Sequence, residues 1–152
     1  MKIQIFAMTH KTFDPPPDPL YVSLQVGHAT HEDLGYLADD TGDNISVKNC
    51  YYSELTGLYW VWKNVKDLDY VGVCHYRRYL LNDAGSIFTR AQLAPLLKDY
   101  DMITSKCLTL NFSYAYGFGE NHTPEDLAAA GQVIAKLYPD FYPLYAKRLQ
   151  EN

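Results

Sequence analysis

The segment Asp69-Tyr-Val-Gly-Val-Cys-His-Tyr-Arg-Arg-Tyr79 joins a short apolar run to an abrupt cationic end. The run Tyr70 to Cys74 predicts a buried strand, because tyrosine and valine suit a pleated, covered surface. In open α/β sheets, ligands bind in the crevice beyond the carboxyl ends of the strands. Two guanidiniums there, with an imidazole and a phenol, predict a site for a phosphate or carboxylate. The alternative is an arginine pair that only binds surface carboxylates.

The bulk composition is that of one ordinary globular domain over residues 1–152. The chain is 47% apolar and 20% charged, which excludes a disordered protein. Its net charge of −5 gives no electrostatic footprint for nucleic acid. The arginine pair is therefore a local positive site on an acidic protein, which favours a small anionic ligand over a polymer.

The cysteines and the terminus indicate a cytoplasmic protein. Cys50, Cys74 and Cys107 are odd in number and form no CxxC pair, so neither a disulfide framework nor a structural zinc site is expected. The first nine residues lack the apolar length of a signal peptide, and no run approaches a membrane span.

Apolar periodicity predicts strands that alternate with helices, which is typical of a mainly parallel α/β sheet. The predicted strands are 2–8, 21–26, 70–76 and 100–104, and the predicted helices are 46–64, 89–98, 123–138 and 143–150. Residues 108–122 are expected to form an aromatic, glycine-containing loop. The first helix is predicted to begin at Ser46 as its N-cap, with Ile45 and Cys50 as a hydrophobic staple.

That first helix carries an apolar stripe at helical spacing, formed by Tyr51, Leu55, Leu58, Tyr59 and Trp62. Trp60 and Val61 lie off the stripe, so the helix is expected to be covered on more than one side. Glu54 would need a partner if it were buried.

Three acidic groups are candidates for a metal site. Asp67-Leu-Asp69 and Asp99-Tyr-Asp101 both precede their predicted strands, which places them at the wrong edge of the sheet for a ligand crevice. The cluster of Asp39, Asp40 and Asp43 suits a hard cation, although a polar turn at Gly42 explains it equally well.

Three histidines fall at predicted strand ends or in loops: His10, His75 and His122. Each is a candidate acid, base or phosphate contact, and a structural role is the alternative. No nucleophile elbow, Walker loop or dinucleotide fingerprint occurs in the sequence.

Several phrases together resemble one bacterial family, a domain of unknown function (DUF4422) found in capsule and O-antigen synthesis loci. The phrases are Thr9-His-Lys11, Asp39-Asp-Thr-Gly-Asp-Asn-Ile-Ser46, Glu54-Leu-Thr-Gly-Leu-Tyr-Trp60, Trp62-Lys-Asn64, His75-Tyr-Arg-Arg-Tyr79, Tyr116 with His122, and Leu137-Tyr-Pro-Asp140. The resemblance covers essentially the whole chain. The family is similar to GT-A glycosyltransferases, which bind a nucleotide-sugar on a Rossmann-like sheet.

The resemblance implies a mainly parallel GT-A type sheet flanked by helices, truncated relative to the family. Members usually continue past Asn152 with further strands and an acceptor side, so a short relative that binds the donor without transferring it is an alternative. An incomplete sheet also lacks an edge partner, which favours association with another chain as a homo-oligomer.

The implied site residues fall into two groups. The expected catalytic residues are His75, Arg77 and Arg78, which stand where other GT-A enzymes carry their acidic metal-binding pair. The expected nucleotide-sugar contacts are Thr9, His10, Lys11, Asp39, Asp40, Asn44, Tyr76 and His122. Arginine would then neutralise the diphosphate leaving group. Manganese or magnesium is an option that is not expected to be essential.

The function that follows is a glycosyltransferase of bacterial capsular or O-antigen polysaccharide synthesis, with a UDP-sugar donor and a saccharide or lipid-linked acceptor. It would act in the cytoplasm, with the inner membrane face as an alternative location. A catalytic base is not identified, and Glu54 and Asp43 stay as candidates. The alternatives are a non-catalytic nucleotide-sugar or anion-binding module, and an interaction domain whose 14 tyrosines form a partner surface.

Overall fold

The computed structural model describes residues 1–106 and 109–151. These divide into two compact units, Met1–Ser105 and Lys106–Asn152. The prediction of a single domain over residues 1–152 stays a prediction. Cys107 and the first residue of the predicted loop 108–122 lie outside the described residues.

The first unit is built on a four-stranded sheet with the strand order β3-β2-β1-β4. Its strands are β1 (Ile3–Thr9), β2 (Tyr21–Gln25), β3 (Leu37–Ala38) and β4 (Tyr70–His75). All three pairings are parallel, as the sequence predicts. The two-residue strand β3 was not predicted, because so short an element has no period to detect.

Strand β4 forms one edge of this sheet. The backbone N–H groups of Tyr70 and Tyr76 donate to the carbonyls of Lys2 and Met8 on the β1 side, at 3.2 and 3.0 Å. Alternation along a strand therefore turns the backbone groups of Val71 and Val73 outward. Both valine side chains are also exposed.

Helices cover both faces of the sheet, so each face has its own apolar core. On one face Trp60 and Val61 of helix α2 (Leu55–Asn64) pack on Phe6 and Leu24. Gly57 permits this close approach, since a Cβ added there would stand 2.6 Å from Val26. On the other face helix α3 (Arg90–Leu96) closes the second core, formed by Ile3, Leu20, Tyr21, Leu93 and Leu97.

The predicted helix 46–64 is interrupted. It consists of a 3₁₀ turn (Ser46–Lys48), the short helix α1 (Asn49–Tyr52) and α2. The break is at Ser53, whose φ of 46° and ψ of −130° do not belong to a helix. Ser46 is not an N-cap either, because its hydroxyl is buried against Asp39. The N-cap and its hydrophobic staple are therefore wrong.

The predicted apolar stripe of this helix faces solvent. Leu55, Leu58 and Trp62 are exposed, whereas Trp60 and Val61 are buried on the sheet. The prediction that the helix is covered on more than one side is wrong for the described residues. Aromatic and apolar side chains occupy nearly every position here, so periodicity alone did not identify the buried face.

The predicted strand 100–104 does not form. Met102 to Ser105 runs beside β4 without ladder hydrogen bonds, and a cavity of about 410 Å³ lies between this segment and the strand. Ile103 nevertheless packs on the α3 core. The apolar residues of this segment therefore pack on the core and do not pair with the sheet. A capping box begins α3, with Thr89 and Gln92 as its members.

The second unit is helical, with α4 (Tyr114–Gly119), α5 (Pro124–Leu137), a 3₁₀ turn (Pro139–Phe141) and α6 (Tyr142–Arg148). Helix α4 corrects the predicted loop: the Ser113 side chain accepts from the backbone N–H of Tyr116 and caps it. Tyr145 of α6 donates to the carbonyl of Leu127 in α5 at 2.6 Å. No helix within residues 1–106 and 109–151 is long and apolar enough to cross a membrane.

Candidate functional site

The parallel sheet brings the ends of three strands to one edge. In the ladders Met8 is opposite His75 and Thr9 is opposite Gln25, so β1, β2 and β4 end at the same level. The side chains that follow these strands therefore lie along the carboxyl edge, which is where open α/β sheets bind ligands.

Arg77 and Arg78 follow β4 directly at this edge, in a tight turn. The turn is closed by the Arg78 N–H, which donates to the His75 carbonyl at 2.8 Å. Both arginines are exposed, and no carboxylate in the part of the chain that the structure describes forms an ion pair with either one. Arg78 also lines a cavity of about 280 Å³. Two unpaired guanidiniums on an acidic protein suit an anionic ligand.

Aromatic rings surround Tyr76 beside these arginines. His10 meets the Tyr76 ring edge-on with centroids 5.6 Å apart, and Phe13 and His75 contact it at 5.6 and 4.4 Å. The Arg77 guanidinium lies 5.0 Å from the ring centre. Lys11 is exposed on the turn after β1. The edge thus combines positive charge with flat apolar surface.

Thr9 lies at the carboxyl edge as predicted, but its side chain is not exposed to a ligand. It is buried, its hydroxyl donates to the Lys11 carbonyl at 2.5 Å, and the same oxygen accepts from the Lys11 N–H at 3.0 Å. Its side chain therefore shapes the turn that presents His10 and Lys11.

Asp39 is fully buried, and its carboxylate has four donors. The backbone N–H groups of Gly27 and His28 donate at 3.0 and 3.1 Å, and the hydroxyls of Ser46 and Thr56 donate at 2.5 and 2.7 Å. Because both oxygens are used inside the protein, this carboxylate joins the end of β2 to the start of α2. Ser46 and Thr56 were missed, since nothing in their spacing from Asp39 reveals the contact.

Asp40 and Asn44 lie in the loop that follows, and both have partners there. The Asp40 carboxylate is 2.7 Å from His28 Nδ1, and this hydrogen bond raises the pKa of His28. Asn44 Nδ2 donates to the carbonyls of Asp40 and Gly42 at 2.9 and 3.0 Å. Asp40 keeps partial exposure and is open to a further contact.

Glu54 contacts His75 across the edge. Its Oε1 lies 3.3 Å from His75 Nε2, while the glutamate side chain is 47% exposed. Burial lowers the pKa of His75. The nearby charge of Glu54 raises this pKa, and the positive charges of Arg77, Arg78 and His10 lower it further. The sequence indicated that a buried Glu54 would need a partner, but it could not identify a residue 21 positions away on another element.

His122 lies in the second unit, stacked on Phe118 with ring centroids 4.6 Å apart. The other predicted site residues belong to the first unit.

The acidic groups are distributed over separate contacts. Asp69 accepts from the Lys2 N–H at 2.7 Å beside the start of β1, so the Asp67–Asp69 pair lies at the amino edge as expected. Asp101 lines a cavity with Tyr70 and precedes no strand, because the predicted strand 100–104 does not form. Asp43 accepts from the Tyr59 hydroxyl, away from the buried Asp39. No cluster of three or more metal-ligating side chains occurs within residues 1–106 and 109–151. The groups beyond β4 are cationic and aromatic, unlike the oxygen ligands that magnesium and manganese prefer.

Comparison with known proteins adds a family and a structural relative. A family model described as a domain of unknown function, DUF4422, matches residues 4–152. No curated protein matches the chain. The chain is similar to the apo structure of the bifunctional glycosyltransferase WbbM, with a TM-score of 0.79 and 26% sequence identity. The match covers 100% of this chain and 32% of that chain. This likeness and the parallel sheet confirm the predicted α/β fold.

Proposed function

The chain belongs to the DUF4422 family, and we propose that it is a glycosyltransferase domain that binds a UDP-activated sugar at the carboxyl edge of its sheet. The pathway we propose is bacterial capsular or O-antigen polysaccharide synthesis, in the cytoplasm or at the inner membrane face. The acceptor would be a saccharide or a lipid-linked glycan. The likeness to a glycosyltransferase supports the reaction class.

One observation carries the proposal: Arg77 and Arg78 are exposed and unpaired by any described carboxylate, in the turn that follows strand β4 of an acidic chain. Guanidinium groups bind phosphate oxygens through two parallel hydrogen bonds. We assign them the diphosphate, whose charge increases as the sugar leaves. Because the arginines supply positive charge, the reaction is proposed to proceed without an essential divalent metal.

The remaining edge residues divide into those proposed to contact the donor and those that position the loops. We assign His10, Lys11 and Tyr76 to the nucleotide, and Asp40 and Asn44 to the hydroxyls of the ribose or the sugar; the contact of His10 with Tyr76 supports the first assignment. Thr9 and Asp39 are buried, so they position the loops instead of touching the donor. His122 stays a candidate contact.

Binding to UDP tests the donor site. Thermal shift and calorimetry with UDP, UDP-glucose and UDP-galactose should show stabilisation of about 2.7 kcal/mol at a ligand concentration of 100 times Kd. Arg77→Ala and Arg78→Ala should each weaken binding by about 10–100-fold, because a hydrogen bond to a charged group contributes about 1.5–3 kcal/mol. Arg148→Ala, which removes an exposed arginine of the second unit, is the matched control.

The outcomes separate the rival functions. Binding that survives EDTA and is lost in Arg77→Ala supports an arginine-held diphosphate, whereas loss with EDTA and rescue by manganese contradicts it. Binding without sugar turnover favours a non-catalytic module, a reading that the coverage of 32% of the relative keeps open. No binding of any of the three nucleotides contradicts a UDP-sugar donor site and favours the interaction domain.

A further inference from the structure

We propose that Glu54 is the general base of this glycosyl transfer and that His75 is its positioning residue, an inference that rests on the proposed function. Glu54 would take the proton of the attacking hydroxyl group. His75 would hold the carboxylate in place without itself receiving that proton.

A hydrogen bond from the backbone to the His75 ring defines its tautomer. The backbone N–H of Arg77 donates to His75 Nδ1 at 3.2 Å, so Nδ1 is an acceptor and carries no proton. We therefore assign the proton of the neutral ring to Nε2, which faces Glu54 Oε1 at 3.3 Å. With Nδ1 accepting from the backbone and Nε2 carrying the proton, the ring has no free acceptor nitrogen, so the available base is the carboxylate.

Glu54 also has access to bound solutes. It lines the cavity of about 280 Å³ together with Arg78 and His75, and it lines a second cavity of about 320 Å³ with His10 and Cys50. Its Oε2 has no hydrogen-bond partner among the residues described. A hydroxyl in either cavity therefore has a route to this oxygen while phosphates occupy the arginines.

The backbone before Glu54 is held in a costly conformation. Ser53 has φ 46° and ψ −130°, a region that L-residues rarely adopt and that costs about 1–3 kcal/mol. The Ser53 carbonyl accepts from Asn49 Nδ2 at 2.8 Å and from the Thr56 N–H at 3.2 Å, which fixes this turn. Glu54 then directs its side chain to His75 and does not cap α2.

The other candidate base lies at the wrong end of α2. Asp43 accepts from the Tyr59 hydroxyl at 3.0 Å, is 3.8 Å from Lys63 Nζ, and its backbone N–H donates to Asn64. Helix α2 has ten residues, so its ends are about 14 Å apart. The Asp43 carboxylate is thus held by Tyr59 and Lys63 within α2, whereas Glu54 stands at the amino end of the helix beside His75.

The step balances with a nucleotide-sugar and an acceptor alcohol. The acceptor oxygen attacks the anomeric carbon from the side opposite the diphosphate and forms the glycosidic C–O bond. The bond between the anomeric carbon and the diphosphate oxygen breaks, and its electron pair leaves with the nucleoside diphosphate. The hydroxyl proton moves to Glu54, so the inference includes inversion at the anomeric carbon.

The test measures UDP release from UDP-glucose and UDP-galactose by the full chain, into water and into an octyl glycoside acceptor. Glu54→Gln should lower kcat by at least about 100-fold, the usual contribution of a general base, while donor Kd changes less than about twofold. Glu54→Ala should regain activity with added formate, which replaces the missing carboxylate. His75→Gln should lower kcat without rescue by formate. Glu120→Gln, which neutralises an exposed carboxylate of the second unit, is the control.

The results distinguish this inference from the donor site itself. Glu54→Gln with near wild-type turnover, parallel loss of donor binding in that variant, or absence of formate rescue in a folded Glu54→Ala protein would each overturn it. A retained anomeric configuration in the product would do the same. Wild-type protein that binds UDP-sugar but releases no UDP overturns the general base and leaves the donor site standing. Wild-type protein that binds no UDP-sugar removes the proposed function.

Discussion

Asp39 occupies a fully buried position in which a carboxylate is stable only because four donors surround it. These donors come from the loop after β2, from the 3₁₀ turn at Ser46 and from α2. The side chain therefore holds together the elements that place Glu54 and the edge loops. Burial without these bonds would cost several kcal/mol.

Asp39→Ala should destabilise the protein by about 3–5 kcal/mol, because it leaves buried amide and hydroxyl donors without an acceptor. Urea unfolding followed by circular dichroism measures this change. Asp40→Ala is the matched control, since Asp40 is partly exposed and its partner His28 can be solvated. Similar midpoints for the two variants would contradict the structural role assigned to Asp39.

Sequence reasoning at this scale identified positions better than partners. The abrupt end of an apolar run placed His75, Arg77 and Arg78 at a strand terminus, and the structure has them there. Adjacent acidic residues were grouped as one cluster, although Asp39 is buried and Asp43 binds Tyr59. Spacing along a loop does not encode which way each side chain turns. The sequence therefore could not show that Asp39 is buried while Asp43 binds Tyr59.

Helix α2 buries one tryptophan and exposes another two positions away. Trp60 is 7% exposed and its Nε1 donates to Thr41, whereas Trp62 is 65% exposed. Residues two apart on a helix lie on different faces. The two indoles thus report which face meets the sheet.

Trp60→Ala should cost about 3–5 kcal/mol, because it opens a cavity next to Phe6 and Leu24. Trp62→Ala should change stability by less than about 1 kcal/mol, since its main contacts are Tyr59 and Lys63 on the same helix. Chemical denaturation of both variants gives the comparison. An equal loss in the two variants would restore the apolar stripe that the sequence predicted.

Elements with a strong period or a definite cap were predictable, and short or crowded ones were not. Helix α5 starts after Thr123 with Pro124 at its first turn, close to the predicted boundary. Residues 100–104 have strand-like composition, yet strand formation also requires hydrogen bonds to a neighbour, which composition does not report. Helix α4 contains two glycines that masked the signal of its Ser113 cap.

For the whole molecule, two histidines give opposite dependences of stability on pH. Asp40 raises the pKa of His28, so the folded protein binds this proton more tightly and its stabilising effect is lost as pH rises above about 6.5. Burial lowers the pKa of His75, so its effect runs the other way: stability is lost as pH falls below about 6.5.

Melting temperatures of His28→Gln and His75→Gln, measured from about pH 5.5 to about pH 8, test both signs. The deficit of His28→Gln relative to wild type should shrink as pH rises. As pH rises through the acidic half of the same range, the difference in melting temperature between wild type and His75→Gln should shift in favour of wild type. Parallel curves for all three proteins would contradict both assignments.

The α/β class, the parallel pairing and the location of the strand ends were all accessible from the sequence, because alternation of strands and helices constrains topology. The division into two compact units was not, since no linker composition marks residue 105. Association of copies stays a prediction.

The open side of β4 has a practical consequence for handling the protein. Strand β4 (Tyr70–His75) has no lysine or proline that would oppose pairing with the edge strand of another molecule. Val71 and Val73 add exposed apolar surface to this edge. Unpaired strand edges of two molecules meet most often during overexpression or rapid dilution from denaturant. The yield of folded protein should therefore fall steeply as the protein concentration in that step increases. Slow dilution in the cold, or a co-expressed chaperone, addresses this hazard directly.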